Sequence, residues 1–308
     1  MEKPVIRISV RNLVEFILRN GDLESGGTAG DKEAMLKGSR LHRKIQKQMG
    51  SHYQAEVSLK KDTEYEDLIL RVEGRADGIF TQNEKICIDE IKGVYKNLEL
   101  LAEPVLVHRA QALCYAWIYL DDHGLEEIDV QMTYVHLDTE MIKRFRETMT
   151  REELESWYQR LLDSYHKWLS YQMKWREERN RSMEKLEFPF IYRKGQKEMV
   201  AGIYHAISRK EQIFIQAPTG VGKTMSAVFP AVRSIGEGKA ETLFYLTART
   251  ITRTVAQDAF EILRKNGLLF KTVTIIAKEK LCFCEKPECN PETCPYAKGH
   301  YDRINDAV

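Results

Sequence analysis

Long apolar runs are missing from this chain of 308 residues. No stretch approaches the ~18 consecutive apolar residues typical of a membrane-spanning helix, so we expect no transmembrane segment. The N-terminus also lacks the pattern of a secretory signal peptide, because Arg7, Arg11 and Glu15 interrupt its apolar positions. Together these absences predict a cytoplasmic location.

A strong net charge is also missing. Lysine and arginine number 47 against 46 aspartates and glutamates, which gives a net charge of +1. This balance neither favours nor excludes nucleic acid as a partner, so any DNA-binding surface would have to be a local patch. A hydrophobic content of 43% is typical of globular proteins, and the length allows about two domains.

Cysteines are few and unevenly placed. Cys87 and Cys114 lie alone in the sequence. The other four crowd into thirteen residues near the C-terminal end: Cys282, Cys284, Cys289 and Cys294. Without an export signal such a cluster predicts a metal site rather than disulfides. Four thiolates can bind zinc or hold an iron–sulfur cluster, and the spacing alone does not decide between them.

The most specific motif lies in residues 216–224. An apolar run at 212–216 predicts a buried strand before it, and residues 225–229 predict the start of a helix after it. A strand, a glycine-bearing loop, Lys-Thr and a helix are typical of the phosphate-binding loop of nucleoside triphosphatases. The loop consists of Ala217, Pro218, Thr219, Gly220, Val221, Gly222, Lys223 and Thr224.

The residue types of this loop suit a nucleotide. Gly220 and Gly222 allow backbone amides to surround phosphate oxygens, and the helix that follows presents its positive end to them. Lys223 is expected to reach the β- and γ-phosphates, and Thr224 to bind Mg²⁺. The sequence therefore predicts ATP and Mg²⁺ as ligands.

Two carboxylates and a lysine stand out in residues 1–136, where predicted helices begin near Ser9 and Asp31. Strands are predicted at 53–59, 68–73, 76–80 and 86–91. Because residues two apart on a strand share a face, Glu90 and Lys92 project together, and a neighbouring strand could bring Asp77 beside them. Such a group suits a divalent metal that holds a phosphate. Asp89 is an alternative to Glu90 as the second acid.

The order of these residues resembles the PD-(D/E)xK nuclease core, and most closely its RecB-like group. Gly38–His42 resembles the histidine motif of that group, and Gln111–Tyr115 resembles its Gln-x-x-x-Tyr motif. The resemblance implies a restriction-endonuclease-like α/β domain over residues 1–136. It also implies Mg²⁺ or Mn²⁺ held by Asp77, Glu90 and His42, with catalytic roles for Asp77, Glu90, Lys92, Gln111 and Tyr115. A fold retained only for DNA binding is the alternative.

A helical connector is predicted over residues 137–187. Thr150 and Glu153 have the spacing of a capping box. The helix that they would open carries aromatic residues at three- and four-residue steps, which indicates a packing face.

Residues 188–308 resemble the first RecA-like lobe of superfamily 2 helicases, most closely the XPD/DinG branch. By this resemblance Gln196 reads adenine with support from Arg193. The segment 242–250 is predicted to be a strand that runs into a turn. It resembles motif Ia, in which Thr247, Arg249 and Thr250 would contact single-stranded DNA. That branch carries a four-cysteine [4Fe–4S] insertion after this motif, which would correspond to about 278–308.

No Asp-Glu-x-His motif follows the cysteines, and no second lobe is present in the sequence. We therefore expect a longer ATP-dependent nuclease–helicase of 5′-to-3′ polarity that acts in DNA repair or processing, on single strands or their junctions with duplex. By itself this segment is not expected to be a competent motor. A zinc-binding P-loop protein of another class is the remaining alternative.

Overall fold

The computed structural model describes residues 3–23, 32–247, 250–284 and 288–304. The chain is mixed α/β and divides into two compact units. The first unit comprises Met1–Trp168 and Ala277–Val308, and the second comprises Leu169–Ile276. No helix in the described part of the chain is long and apolar enough to cross a membrane.

The first unit is built around a sheet. Its elements, in chain order, are β1 (Val5–Ser9), α1 (Val10–Leu18), α2 (Lys32–Gln48), β2 (Tyr53–Glu64), β3 (Ile69–Gln82), β4 (Lys85–Val94), a 3₁₀ turn (Leu98–Leu100), α3 (Leu106–His123), β5 (Glu127–His136) and β6 (Ile142–Thr150). Helix α4 (Arg151–Glu184) follows β6. The short α8 (Lys278–Leu281) and a 3₁₀ turn (Tyr301–Arg303) belong to the same unit.

Within the described residues, six strands form one mixed sheet. The order is β1-β3-β4-β5-β6, and β2 pairs with β3. The pairs β1–β3 and β4–β5 are parallel, and the other three pairs are antiparallel. Strand β5 is almost wholly buried and β4 is buried over residues 87–91, as expected for central strands covered on both faces.

Local sequence signals explain several element boundaries. Ser9 caps α1 by accepting a hydrogen bond from the Asn12 amide at 3.1 Å. Thr150 and Glu153 form the predicted capping box, because Glu153 accepts from the Thr150 amide and the Thr150 hydroxyl accepts from the Glu153 amide. Gly124 ends α3 in the left-handed conformation that glycine adopts without strain.

Two features of the sheet differ from the prediction. The strands predicted at 68–73 and 76–80 are one continuous strand, β3. Residues 142–150, which were assigned to a helical connector, form β6 and pair with β5. The side chains of β6 alternate between exposed and half-buried, so its apolar signal was too weak to predict a strand.

The second unit contains α5 (Gln196–Arg209), α6 (Lys223–Gly236) and α7 (Thr250–Lys265). Its core joins α6 and α7 to the end of α4, with Val232, Leu263 and Met183 fully buried. The strands predicted at 212–216 and 242–247 are wrong for this structure, because neither segment forms a ladder among the described residues. Phe214 and Leu246 are 94% and 89% exposed, so these apolar runs lack the partner strands that burial in a sheet requires.

Two chain segments far apart in sequence join within the first unit. The amide of Leu23 donates to the carbonyl of Ala297 at 2.8 Å, and the amide of Tyr301 donates to the carbonyl of Gly21 at 2.9 Å. The guanidinium of Arg19 lies 3.8 Å from the centre of the Tyr301 ring. The segment after the last cysteine is thus fixed against the loop that follows α1.

Candidate active site and phosphate loop

The register of β3 and β4 brings the predicted carboxylates together. Gly78 is the partner of Asp89, which places the next pair, Asp77 and Glu90, opposite one another. The amide of Ile91 donates to Asp77 Oδ2 at 2.7 Å and fixes this carboxylate against β4. Asp77 and Glu90 therefore occupy one face of the sheet, and β3 is the neighbouring strand that brings Asp77 beside β4.

Lys92 connects Glu90 to helix α3. Its Nζ donates to Glu90 Oε1 at 2.7 Å and to Gln111 Oε1 at 2.6 Å. Glu90 is only 4% exposed, and its second oxygen, Oε2, is buried without a hydrogen-bond partner among the described residues. Burial raises the pKa of Glu90 to about 7, although the charge of Lys92 opposes the shift.

Helix α2 brings His42 to the same place. His42 Nδ1 lies 3.5 Å from Asp77 Oδ1. Gln46, one turn further along, donates to the carbonyl of Asp77 at 3.0 Å. Apolar packing holds the helix there, because Leu41 and Ile45 of α2 share a buried cluster with Ile91 of β4.

Tyr115 packs where β3 carries Gly74. A Cβ at Gly74 would lie 2.7 Å from the Tyr115 hydroxyl, so only glycine leaves room for the ring. Burial raises the pKa of Tyr115 well above its usual range, which keeps the hydroxyl protonated. The structure therefore brings together all six residues of the nuclease-like motifs: His42, Asp77, Glu90, Lys92, Gln111 and Tyr115.

Sequence reasoning did not predict the polar network behind Glu90. Asp89 is fully buried and accepts from Tyr53 at 3.0 Å, Gln131 at 3.1 Å and Thr133 at 2.6 Å. Burial raises its pKa despite these three donors. Because strand neighbours point to opposite faces, Asp89 faces away from Glu90 and is unsuited to serve as the second acid of the cluster. Its partners lie on β2 and β5, far from Asp89 in the sequence, so no local motif predicts these hydrogen bonds.

The donors at this site suit a hard divalent cation, although no three histidine, cysteine or carboxylate side chains among the described residues already hold the geometry of a metal site. Carboxylate oxygens are the preferred ligands of Mg²⁺. Glu90 Oε2, a buried oxygen without a donor, is the atom that a cation would satisfy. Asp77 and His42 would be its neighbours.

The phosphate loop has the predicted backbone conformation. Gly220 and Gly222 have φ values of 82° and 79°, in the left-handed region that favours glycine. Helix α6 begins directly after Gly222 and presents its N-terminus to the loop. Lys223 Nζ donates to the carbonyls of Ala217 and Pro218, each at 2.9 Å. The Lys223 side chain thus crosses the loop in which the phosphates of a nucleotide would bind.

Arg193 and Gln196 contact this loop. The Arg193 side chain donates to the carbonyl of Gly220, and its backbone amide donates to Gln196 Oε1 at 3.0 Å. Gln196 is buried, and a Cβ on Gly222 would lie 2.6 Å from its Nε2. The predicted adenine-reading pair therefore packs against the phosphate loop.

The cysteine segment brings two thiols together. Cys284 Sγ and Cys294 Sγ are 3.9 Å apart, and Cys294 is buried. Contact with Cys294 raises the pKa of Cys284 to about 11. Cys282 and Cys289 are half-buried, and no group of three ligands forms among the residues that the structure describes.

The predicted DNA contacts of motif Ia lie mostly outside the described residues. Arg249 is one of these, and the side chain of Thr250, at the start of α7, is another. Thr247 is described and exposed.

Comparison with known proteins was informative for the second unit. Residues 193–281 match the model of the DEAD/DEAH box helicase family. A 49-residue segment is 43% identical to the "Probable ATP-dependent helicase MJ0942" of Methanocaldococcus jannaschii, covering 16% of this chain and 7% of that protein. A solved structure described as "Crystal structure of SSO0001" is 19% identical over 51% of this chain and 75% of its own, with a TM-score of 0.35, which is too low to support an argument. The two matches show that part of this chain is similar to helicases, and the chain spans only a small part of the length of the relative that it matches.

Proposed function

We propose that this chain belongs to an ATP-dependent DNA helicase of the XPD/DinG type that also carries a RecB-like, metal-dependent nuclease. The domain division predicted from the sequence, with a nuclease over 1–136, a connector over 137–187 and a helicase lobe over 188–308, is part of this proposal. The observation that carries the nuclease half is the convergence of Asp77, Glu90 and Lys92 with Gln111 on one face of the sheet. The helicase matches and the phosphate loop carry the other half.

In the nuclease, each side chain has a defined task. Asp77 and Glu90 would hold Mg²⁺ or Mn²⁺ with His42. The cation, when bound, lowers the pKa of a water molecule and polarises a phosphoryl oxygen. Lys92, oriented by Glu90 and Gln111, would place its ammonium against the negative charge that develops on the phosphate. Tyr115 would position the DNA strand, through a hydrogen bond that its buried hydroxyl donates.

In the motor, the loop from Ala217 to Thr224 would bind the phosphates of ATP. Lys223 would exchange the two carbonyls for phosphate oxygens, and Thr224 would bind Mg²⁺. Hydrolysis would drive movement along single-stranded DNA, with the exposed Thr247 and its neighbours as backbone contacts. The four cysteines would hold a [4Fe–4S] cluster or zinc.

A digestion assay tests the nuclease. We expect labelled single-stranded DNA to be cut in Mg²⁺ or Mn²⁺, and cutting to fall at least about 100-fold in Asp77→Ala and Lys92→Ala. The matched control is Glu155→Gln, which removes an exposed carboxylate on α4. DNA binding without metal-dependent cutting by the wild-type chain would instead favour a fold kept only for binding.

Absorbance spectroscopy tests the cysteine site. Protein purified without oxygen should be brown if an iron–sulfur cluster is bound, whereas zinc leaves it colourless. The close approach of Cys284 and Cys294 fits either group. Colourless protein with one bound zinc would favour the P-loop protein of another class.

A further inference from the structure

A cavity of about 330 Å³ opens at the carboxyl end of β4 and β5. Strand β4 carries Glu90 and Lys92 and ends at Val94, and the next residue, Tyr95, is in the cavity wall. The full lining is Tyr95, Asn97, Leu98, His136, Thr139 and Met141.

The walls of this cavity are held by pairing across the sheet. Val94 and His136 are register partners, and the amide of Leu137 donates to the Val94 carbonyl at 2.9 Å. Leu98 is buried, and its carbonyl accepts from Lys143 Nζ at 3.0 Å. The cavity is therefore a fixed part of the strand end that bears the carboxylate cluster.

The lining combines a flat apolar surface with polar groups. Tyr95 and Met141 are 44% and 51% exposed, so both have apolar surface that a ligand can contact. His136 Nδ1 accepts from the amides of Asp138 at 3.3 Å and Thr139 at 3.2 Å, so its proton lies on Nε2, which can donate. A ring for stacking beside a hydrogen-bond donor is the chemistry that recognises a nucleobase.

The charges around the cavity suit the phosphate backbone of a nucleic acid. The acids of the β5–β6 turn are paired, Asp138 with Lys37 at 3.2 Å and Glu140 with Lys44. Lys96 is exposed between Tyr95 and Asn97. Lys92 stands two residues before Val94, where β4 ends, so Lys92 and Lys96 flank this strand end.

We propose that this cavity binds one unpaired nucleobase of the DNA strand, next to the phosphate held at Asp77, Glu90 and Lys92. The inference rests on the proposed nuclease function and adds the requirement for a single-stranded nucleotide beside the cut. Strand β4 rises about 3.3 Å per residue, so Tyr95 follows Lys92 by ~10 Å, within the span of adjoining nucleotides. Tyr95 supplies stacking, and His136 and Asn97 supply contacts to the base edge.

Fluorescence of 2-aminopurine tests the proposal directly, because stacking on an aromatic ring changes its emission. Oligonucleotides would carry the probe at successive positions around the cut and would be bound to the Asp77→Ala chain, which does not cut. We expect the emission of 2-aminopurine to change at one or two adjoining probe positions. This change should be lost when Tyr95→Ala is added to the Asp77→Ala chain and kept when Tyr95→Phe is added. In the chain with Asp77 intact, Tyr95→Ala should raise KM about 10-fold, whereas Tyr95→Phe should not.

Controls separate the possible outcomes. Tyr171→Ala removes an exposed tyrosine of the second unit and should alter neither reading. Circular dichroism melting of Tyr95→Ala should match wild type, because the ring is half exposed. If wild type cuts, but the probe responds at no position and Tyr95→Ala keeps its KM, the base site is refuted and the nuclease stands. If wild type does not cut, the proposed function fails. The base site is then supported if the probe responds and Tyr95→Ala removes the response, and refuted if it does not.

Discussion

The two proposed phosphate-handling sites of this chain are built by different means. At the carboxylate cluster, side chains from α2, β3, β4 and α3 meet and bind one another, as Lys92 does with Glu90 and Gln111. The phosphate loop is shaped instead by the backbone of one segment, in which Gly220 and Gly222 have positive φ values. The first site depends on register between distant segments, whereas the second depends on local conformation.

This difference has a consequence for stability. The cluster lies in a laddered sheet with buried polar groups on both faces. Asp89 has three donors, whereas Glu90 Oε2 has no hydrogen-bond partner within the described ranges. The segment before the phosphate loop exposes Phe214, and the segment after α6 exposes Phe244 and Leu246. We therefore expect packing changes to act most strongly on the first unit and loop changes to act on ligand binding in the second.

Gly78→Ala should have the largest effect. A Cβ at Gly78 would lie 1.8 Å from Tyr53 Cζ, so the β2–β3 pair would have to separate where the ring packs. We expect the free energy of unfolding of the first unit to fall by about 3 kcal/mol or more, measured by chemical denaturation. Gly38→Ala is the control, because its Cβ would meet no atom within 4 Å and alanine favours a helix. Equal stability of the two variants would show that the sheet around Tyr53 can shift without cost.

Lys223→Ala should weaken ATP binding about 100-fold while leaving the melting of the first unit unchanged. The lysine already faces the interior of the loop through the carbonyls of Ala217 and Pro218, so its loss removes a preorganised cation. A fluorescent ATP analogue titrated against both proteins measures this. Lys197→Ala, a surface lysine on α5, is the control. Unchanged affinity would mean that the loop does not bind phosphates.

Much of each site was predictable from the sequence, and what was missed depends on distant partners. The two-residue spacing of Glu90 and Lys92 predicted a shared face, and the glycines of the loop predicted its backbone. The apolar runs at 212–216 and 242–247 predicted strands that the described structure lacks, because a strand requires a neighbour and the run itself does not specify one. Asp89 was left as an alternative acid, since its three donors come from β2 and β5.

The acid sensitivity of the first unit should depend on His108. The Tyr134 hydroxyl accepts from the Val105 amide at 2.9 Å and lies 3.2 Å from His108 Nδ1. Because burial lowers its pKa from 6.5 to about 4, the unfolded chain binds more protons between these values. Stability from this residue is fully present above about pH 6.5 and is lost as the pH falls towards 4. After allowance for solvent screening, we expect a loss on the order of 2 kcal/mol.

Denaturation across that pH range measures the effect. His108→Phe should flatten the slope between pH 6.5 and 4, because no proton is taken up at this position. His123→Phe, which replaces an exposed histidine at the end of α3, should keep the slope. A slope that survives in His108→Phe would assign the acid sensitivity to other groups.

Thr150→Ala should have the smallest effect and should show how independent the two units are. Thr150 opens α4, which begins in the first unit and ends in the second. Loss of the capping box removes the hydrogen bond from the Glu153 amide at 3.3 Å and should cost about 1 kcal/mol. Calorimetry should show this loss in the transition of the first unit, with that of the second unchanged, and Thr139→Ala in the exposed β5–β6 turn should alter neither. Equal shifts of both transitions would mean that the two units unfold as one cooperative body through α4. The contrast between a packed sheet site and a local loop site would then no longer describe how the chain unfolds.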